Sequence, residues 1–281
     1  ELFMANAVAL GNVARPAGPA RWMGQAMHWA RRNSRKGSRR NIAYHYDLGN
    51  DFYGLWLDRN MHYSSALFRD PEDRIESLER AQQRKGDAIL DRLNLKEGDS
   101  LLEIGCGWDG LAEQAMERCA IRYDGLTLSV EQAEYARDRL GSGANIILRD
   151  YRDAQGQYDA IASVEMVEAV GERYWPAYVE AIARLLKPGG RAAIQYILID
   201  DALFENYARG ADFIQTHIFP GGMLMSESRF RRLAEEQGLQ WRDVHRFGTH
   251  YAETLRRWRG RLDRAVGKGH FASHFHPQFV G

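Results

Sequence analysis

The chain has few cysteines, no net charge and no long apolar run, and each of these features excludes a class of protein. Only two cysteines occur among 281 residues, which argues against a disulfide framework and predicts a reducing compartment, the cytoplasm. No segment approaches the roughly 20 apolar residues that cross a bilayer, so any membrane contact is expected to be peripheral. The formal charge of +0 excludes a global field that would recruit an acidic partner.

One short segment is nevertheless strongly basic. The string HWARRNSRKGSRRN contains no acid, and its cations are Arg31, Arg32, Arg35, Lys36, Arg39 and Arg40. Such a cluster is typical of surfaces that dock on anionic lipid or nucleic acid. The alternative is a solvated basic linker.

The most informative segment is LLEIGCGWDG, residues 101–110, in which an apolar strand is predicted to run into a glycine turn. Gly105 and Gly107 allow a tight bend and close approach to a ligand, and the following helix presents its N-terminal N–H groups. With Gly110 they also satisfy G-x-G-x-x-G, so the turn alone leaves open a dinucleotide dehydrogenase and an S-adenosylmethionine-dependent methyltransferase. Glu103 favours the methyltransferase, because a carboxylate suits a cationic sulfonium cofactor better than a pyrophosphate.

Downstream of residue 100 the pattern alternates between strand and helix. Strands are predicted at 101–104, 122–126, 145–148, 158–164 and 191–199 and near 241–247, and helices at 70–93, 111–119, 130–140, 174–186 and 226–237. This repetition predicts a mainly parallel sheet with helices on both faces and ligands at the carboxyl ends of the strands. Residues 200–225 interrupt the scheme and are predicted to form an insertion over the substrate site.

Several strings together resemble the cyclopropane-fatty-acyl-phospholipid synthase family. They are YHYDLGNDFYGLWLD with MHYSSALF, LLEIGCGWDG, GLTLSVEQ, DYRD followed by SVEMVEAVG, and FIQTHIFPGG with FGTHYAETLRRW. The resemblance spans about residues 41–258. It implies an α/β, Rossmann-like class I methyltransferase fold, with a mainly parallel seven-stranded sheet and an α-helical insertion over the acyl site. Residues 1–40 are then a basic tail or the remnant of an upstream domain, and 41–281 the catalytic domain with its insertion at about 200–225.

The resemblance also implies a site for S-adenosylmethionine. The residues expected around this cofactor are Tyr63, Ser64, Glu103, Gly105, Gly107, Thr127, Leu128, Gln132, Asp150, Tyr151 and Arg152. Some have a local alternative role, since Thr127 and Ser129 could cap the helix from Val130, and Asp150 could be a turn residue. No metal site is predicted, because His270, His274 and His276 lack a convincing zinc spacing.

The proton acceptor is the least determined part of the predicted site. In the resembled family a bound bicarbonate removes a proton from the substrate. The bicarbonate is held by Cys, Glu, His and Tyr side chains and by a backbone group near an Ile. Glu168, Ile197 and Tyr251 match that pattern, whereas Ser65 replaces the cysteine and Gln195 the histidine. Serine and glutamine still hydrogen-bond an anion but lack the partial positive charge of imidazole, which leaves bicarbonate and Glu168 both open as the base.

The resemblance implies methyl(ene) transfer to the cis double bond of an unsaturated phospholipid acyl chain. Ring closure to a cyclopropane is the expected product, and a hydride shift before proton loss would give a methyl-branched chain instead. The expected partners are acyl chains and the anionic inner face of the membrane; a homodimer is left open. A small-molecule methyltransferase and a non-catalytic binding protein remain alternatives. A nucleic-acid methyltransferase is disfavoured, because no Asn/Asp-Pro-Pro-aromatic string occurs.

Overall fold

The computed structural model describes residue 37, residues 48–210 and residues 222–270. Most of the basic segment 31–40 lies outside the described residues. So do residues 211–221 of the predicted insertion, and His274 and His276.

Five parallel strands form the central sheet in the order β3-β2-β1-β4-β5. The strands are β1 Ser100–Ile104, β2 Arg122–Thr127, β3 Asn145–Leu148, β4 Tyr158–Val164 and β5 Leu186–Gln195. A separate parallel pair joins β6 Leu198–Ile199 to β7 Met225–Ser226. The predicted parallel α/β architecture is confirmed, whereas the prediction of seven strands in one sheet is wrong for the described residues. The segment 241–247 is not a strand, and residues 198–199 pair with β7 rather than extending β5.

Helices cover both faces of this sheet. In chain order the α-helices of the described residues are α1 Asn50–Gly54, α2 Leu78–Leu93, α3 Gly110–Arg118, α4 Val130–Leu140, α5 Trp175–Leu185, α6 Asp201–Ala208, α7 Glu227–Glu236 and α8 Gly248–Gly267. Leu101 and Leu102 point to opposite faces, yet both are 0% exposed, as a sheet buried on both sides requires. Leu101 packs with α2, α3 and α4, and Leu102 packs with α5.

A third cluster of buried side chains lies outside the sheet and is largely aromatic. Tyr53 of α1 and Trp56, which follows this helix, pack with Trp108 after the glycine turn and with Trp258 of α8. Ring centroids lie 5.0 Å apart for Tyr53 and Trp108 and 5.2 Å apart for Trp56 and Trp258. This cluster therefore joins the chain before the sheet, the glycine turn and the last described helix into one packed unit.

One helix prediction needs correction, and one long helix was missed. Helix α2 begins at Leu78 rather than near residue 70, because Ser77 caps it by accepting a hydrogen bond from the Arg80 N–H at 3.3 Å. Asp70 instead accepts from the Glu72 N–H in a local turn. Helix α8 was not predicted at all. No described helix has the length and apolar character needed to cross a membrane.

Candidate active site

The candidate site lies at the carboxyl edge of the sheet, where the strand order reverses. The chain moves from β1 outward to β2 and β3, then returns to the other side of β1 as β4 and β5. Ligands of such sheets bind at this switch point. The segments that follow these strands carry most of the predicted site residues, and segment 63–68 and α8 contribute the rest.

The glycine turn after β1 has the geometry of a ligand cradle. Gly105 and Gly107 adopt φ of 82° and 59°, a region that disfavours side chains. The Gly105 and Cys106 N–H groups both donate to the Leu126 carbonyl of β2, at 2.9 and 3.0 Å. A Cβ on Gly105 would lie 3.3 Å from Met166, so this glycine is needed for close packing against the loop after β4.

Tyr123 bridges two buried carboxyl groups behind this turn. Its hydroxyl lies 2.8 Å from Glu103 Oε2 and 2.6 Å from Asp109 Oδ1. Because a phenol has one proton to donate, one of these contacts requires a proton on a carboxyl group. Burial and the neighbouring Asp109 raise the pKa of Glu103 to about 8, and burial raises the pKa of Asp109 to about 6. The cluster therefore holds a proton at neutral pH.

The end of β2 supplies a polar wall. The Thr127 hydroxyl donates to Gln132 Oε1 at 2.9 Å and accepts from the Ser129 N–H at 3.2 Å. Ser129, rather than Thr127, caps α4 by accepting from the Gln132 N–H. Gln132 Nε2 is buried and has no hydrogen-bond partner among the described residues. Leu128 is half-buried between these polar residues.

The segment after β3 is organised by an ion pair. Asp150 caps a short 3-10 turn, and its Oδ1 accepts from the Arg152 Nε at 2.8 Å. Arg152 also lies over the ring of Tyr151, 5.4 Å from its centroid. Tyr151 is buried and packs edge-on against Tyr178 of α5. All three predicted residues thus lie together, with much of their polar capacity used locally.

A buried lysine supports the segment that carries Tyr63 and Ser64. Lys85 of α2 is 2% exposed, and its Nζ donates to Ser64 Oγ at 3.0 Å. Tyr63 lies against Trp258, with ring centroids 5.5 Å apart. Burial lowers the pKa of Lys85, while the nearby Glu165, Asp58 and Glu103 oppose that shift.

Three segments converge on the carboxylate of Glu165. Its Oε1 accepts from the Ser65 N–H at 2.7 Å and from Gln195 Nε2 at 3.0 Å, and its Oε2 accepts from the Tyr251 hydroxyl at 3.0 Å. Ser65, Gln195 and Tyr251 were predicted to hold an anion, and the structure brings them together. The anion they hold here is the chain's own side chain.

Glu168 lies three residues further along the same loop and is bound differently. Its Oε1 accepts from the Ile197 N–H, while its Oε2 is buried without a partner among the described residues. Burial and the charge of Glu165 raise the pKa of Glu168 to about 8, so the carboxyl group is largely protonated at neutral pH. Glu168 and Ile197 were each predicted to hold a bound anion with Ser65, Gln195 and Tyr251, but here they bond to one another, while the other three residues bond to Glu165.

Sequence reasoning missed three contributors, Glu165, Lys85 and Tyr123. Lys85 had a readable signal, because it falls on the buried face of α2 with Gln82 and Ile89 at helical spacing. For Glu165 the signal was only its place in SVEMVEAVG, three residues before Glu168. Tyr123 gave none, since a tyrosine in a buried strand is ordinary core.

The residues at the glycine turn fit a cationic, adenosyl-bearing cofactor. Gly105 leaves its cradle open where a Cβ would meet Met166. Gln132 Nε2 is an available buried donor, and Asp109 Oδ2 is a buried acceptor that has no partner in the described part of the chain. Glu103 and Asp109 supply negative potential. Glu103, Gly105, Thr127 and Gln132 would hold such a cofactor, as the sequence predicts.

Comparison with known proteins identifies the family. The profile of the family described as Mycolic acid cyclopropane synthetase matches residues 33–274. The chain is 41% identical over 268 residues to tuberculostearic acid methyltransferase UfaA1 of Mycobacterium tuberculosis, covering 88% of this chain and 62% of that protein. It is 37% identical over 215 residues to cyclopropane-fatty-acyl-phospholipid synthase of Escherichia coli strain K12, covering 76% and 54%. The chain thus spans less than two thirds of the length of either relative.

A solved structure agrees with this assignment. The crystal structure of mycolic acid cyclopropane synthase CmaA1 complexed with SAH and CTAB has a TM-score of 0.75 to this chain at 31% identity, covering 82% of this chain and 85% of that one. The family match includes the glycine turn, the Glu165–Glu168 loop and α8. This chain belongs to the mycolic acid cyclopropane synthetase family and has the class I fold of S-adenosylmethionine-dependent methyltransferases.

Proposed function

We propose that this chain transfers a methyl group from S-adenosylmethionine to the cis double bond of an unsaturated fatty acyl chain in a membrane phospholipid. The direct packing of the glycine turn against the two-carboxylate loop carries this proposal. Met166 lies between Glu165 and Glu168 in the chain, and its side chain lies 3.3 Å from the position of a Cβ on Gly105. Methyl donor and proton acceptor would therefore lie side by side, as methylation of an alkene requires.

The cofactor would supply an electrophilic methyl group. The residues of the chain would orient the reactants, exclude water and stabilise charge. An alkene is a weak nucleophile, so orientation in a water-free pocket has to provide several kcal/mol of the barrier. Methyl transfer leaves a cation on the acyl chain. Tyr63 and Tyr251 both pack on Trp258, and aromatic faces of this kind stabilise a cation by about 0.5 to 2 kcal/mol each.

Two products follow from this cation. Loss of a proton from the transferred methyl group closes a cyclopropane ring, which we propose as the product. A hydride shift before proton loss gives a methyl-branched chain, and the 41% identity to a protein named tuberculostearic acid methyltransferase favours this as the alternative. Peripheral docking at the inner membrane face, a cytoplasmic location and a homodimer remain predictions.

Lipid analysis after expression tests the proposal. In a bacterial host without methylated acyl chains, the chain is expected to add one CH2 unit to unsaturated phospholipids, detected by mass spectrometry. Proton NMR of the extracted lipid then separates a cyclopropane ring, which lacks the double bond, from a methyl-branched alkene. Gly105→Leu is the matched control, because its side chain would meet Met166 in a left-handed backbone. Cofactor binding by the folded chain without any change in lipid mass would contradict the proposal.

A further inference from the structure

The hydrogen bonds around Glu165 satisfy both of its carboxylate oxygens. Ser65 and Gln195 donate to Oε1, and Tyr251 donates to Oε2, all within 3.0 Å. These donors are separated from Glu165 by 100, 30 and 86 residues along the chain. An arrangement of long-range donors around one anion is a built site rather than a local turn.

Ser65, Gln195 and Tyr251 stand at positions that the family resemblance assigns to a bound bicarbonate, although Ser65 contributes its backbone N–H, because its hydroxyl donates to the Ala66 carbonyl. Here they are occupied, and a bicarbonate among them would bring its own negative oxygens against those of Glu165 without a further donor to hold it. Gln195 also donates toward the Ser65 carbonyl at 3.3 Å, which leaves it little capacity for another anion. The residues present therefore do not fit a separate bicarbonate.

The backbone of Glu165 supports a functional reading of this arrangement. Its φ of 48° lies in the left-handed region, which is unfavourable for a residue other than glycine. The conformation is held by the Glu165 N–H, which donates to the Gln195 carbonyl at 2.8 Å. Strained residues of this kind concentrate at functional sites, and here the strain turns the side chain toward α8 and segment 63–68. Burial raises the pKa of Glu165, and the positive charge of Lys85, buried behind Ser64, opposes that shift.

We propose that the Glu165 carboxylate replaces the bound anion and is the proton acceptor of the reaction. This inference rests on the proposed function. In the step, a C–H bond of the methylated acyl cation breaks and its proton forms an O–H bond with Glu165. The electron pair of the broken C–H bond neutralises the cation. It closes the ring, or it forms a double bond in the branched product. The proton leaves Glu165 to water when the product is released.

Two variants of Glu165 test the proposal. Glu165→Gln keeps the size but removes the base, and turnover is expected to fall about 100- to 10,000-fold with cofactor affinity nearly unchanged. Glu165→Gly relieves the left-handed backbone and frees the Ser65, Gln195 and Tyr251 donors. This variant is expected to be inactive in carbon-dioxide-free buffer and to regain turnover when bicarbonate or formate is added. Glu180→Gln, on the exposed face of α5, is the matched control and is expected to turn over like the parent chain.

Binding of 13C-labelled bicarbonate, followed by NMR, gives a readout independent of activity. We expect Glu165→Gly to bind the ion and the parent chain not to bind it. Bicarbonate stimulation of the parent chain, or full turnover by Glu165→Gln, would overturn the proposal. If the NMR result is as expected but no lipid is methylated by the parent chain, the replacement of the anion stands and the proposed function fails.

Discussion

Glu103 is 3% exposed behind the glycine turn, and its ionisation depends on what faces it. Of the charged groups around it, Asp109 raises its pKa and Lys85 lowers it. Burial dominates, so Glu103 is mostly protonated at pH 7. A cationic cofactor placed against the turn reverses that balance, because it favours the ionised carboxylate.

Cofactor binding is therefore expected to release protons at pH 7. The pKa of Glu103 in the chain without cofactor is about 8. If the positive cofactor lowers this pKa below 7, Glu103 releases up to one proton on binding. Calorimetry in two buffers with different ionisation enthalpies measures the release. Glu103→Gln is expected to bind the cofactor more weakly, and without most of the buffer dependence. Identical heats for the parent chain in both buffers would contradict this assignment.

Among the secondary-structure elements, α8 has the largest influence on the site. Its first turns fix segment 63–68, because the Ala66 N–H donates to Thr254 Oγ1 at 3.0 Å and the Phe68 N–H to His250 Nδ1 at 3.0 Å. The same helix carries Tyr251 to Glu165 and Trp258 to the aromatic cluster. Helix α8 thus aligns the Ser65 backbone with the Glu165 carboxylate in the loop after β4.

Removing the hydroxyl of Thr254 is expected to weaken this alignment. Thr254→Val preserves shape but leaves the buried Ala66 N–H without an acceptor, which costs about 1–3 kcal/mol of unfolding free energy. Urea denaturation measures the loss. Thr249→Val, one turn earlier and exposed, is the control and is expected to change stability little. Equal midpoints for the two variants would show that α8 does not hold the segment in this way.

For the molecule as a whole, charge is distributed unevenly although it sums to zero. The six cations of the basic segment 31–40 lie outside the described residues, so only their composition and spacing point to a role. Basic clusters bind anionic membranes with about 1 kcal/mol per cation near the surface, and salt screens the attraction.

Replacing Arg31, Arg32, Arg35 and Lys36 with serine is expected to weaken binding to vesicles of anionic phospholipid. The loss should be larger at low salt than at high salt, and sedimentation with vesicles measures it. A control replaces an equal number of scattered, exposed cations: Arg231, Arg232, Arg242 and Arg259. Unchanged vesicle binding by the clustered variant, or an equal loss in the control, would refute docking through this segment.

Part of this fold could be predicted from short stretches of the sequence. The strand–glycine–helix sequence around Gly105 and the alternation after residue 100 are set by neighbouring residues, and both were predicted close to their observed positions. Boundaries were less accurate. Asp70-Pro71 has the composition of a helix start, yet Ser77 is the cap of α2. Asp70 and Ser77 are both favourable capping residues, so capping preference does not choose between them. The burial of Leu78 in the core favours the start at Ser77. Trp241, Val244 and Phe247 favour a strand over residues 241–247, but four of these seven residues are polar or charged and the segment pairs with no strand of the described residues.

By itself, the sequence determined the parallel α/β class, the glycine turn and the identities of most polar groups at the site, since these depend on period and residue type. Tertiary structure alone decided which acid the donors hold. Glu165 and Glu168 share one loop, and nothing in their spacing tells which one meets Ser65, Gln195 and Tyr251. That choice depends on the left-handed turn at Glu165 and on hydrogen bonds from Ser65, Gln195 and Tyr251, which lie 30 to 100 positions away along the chain.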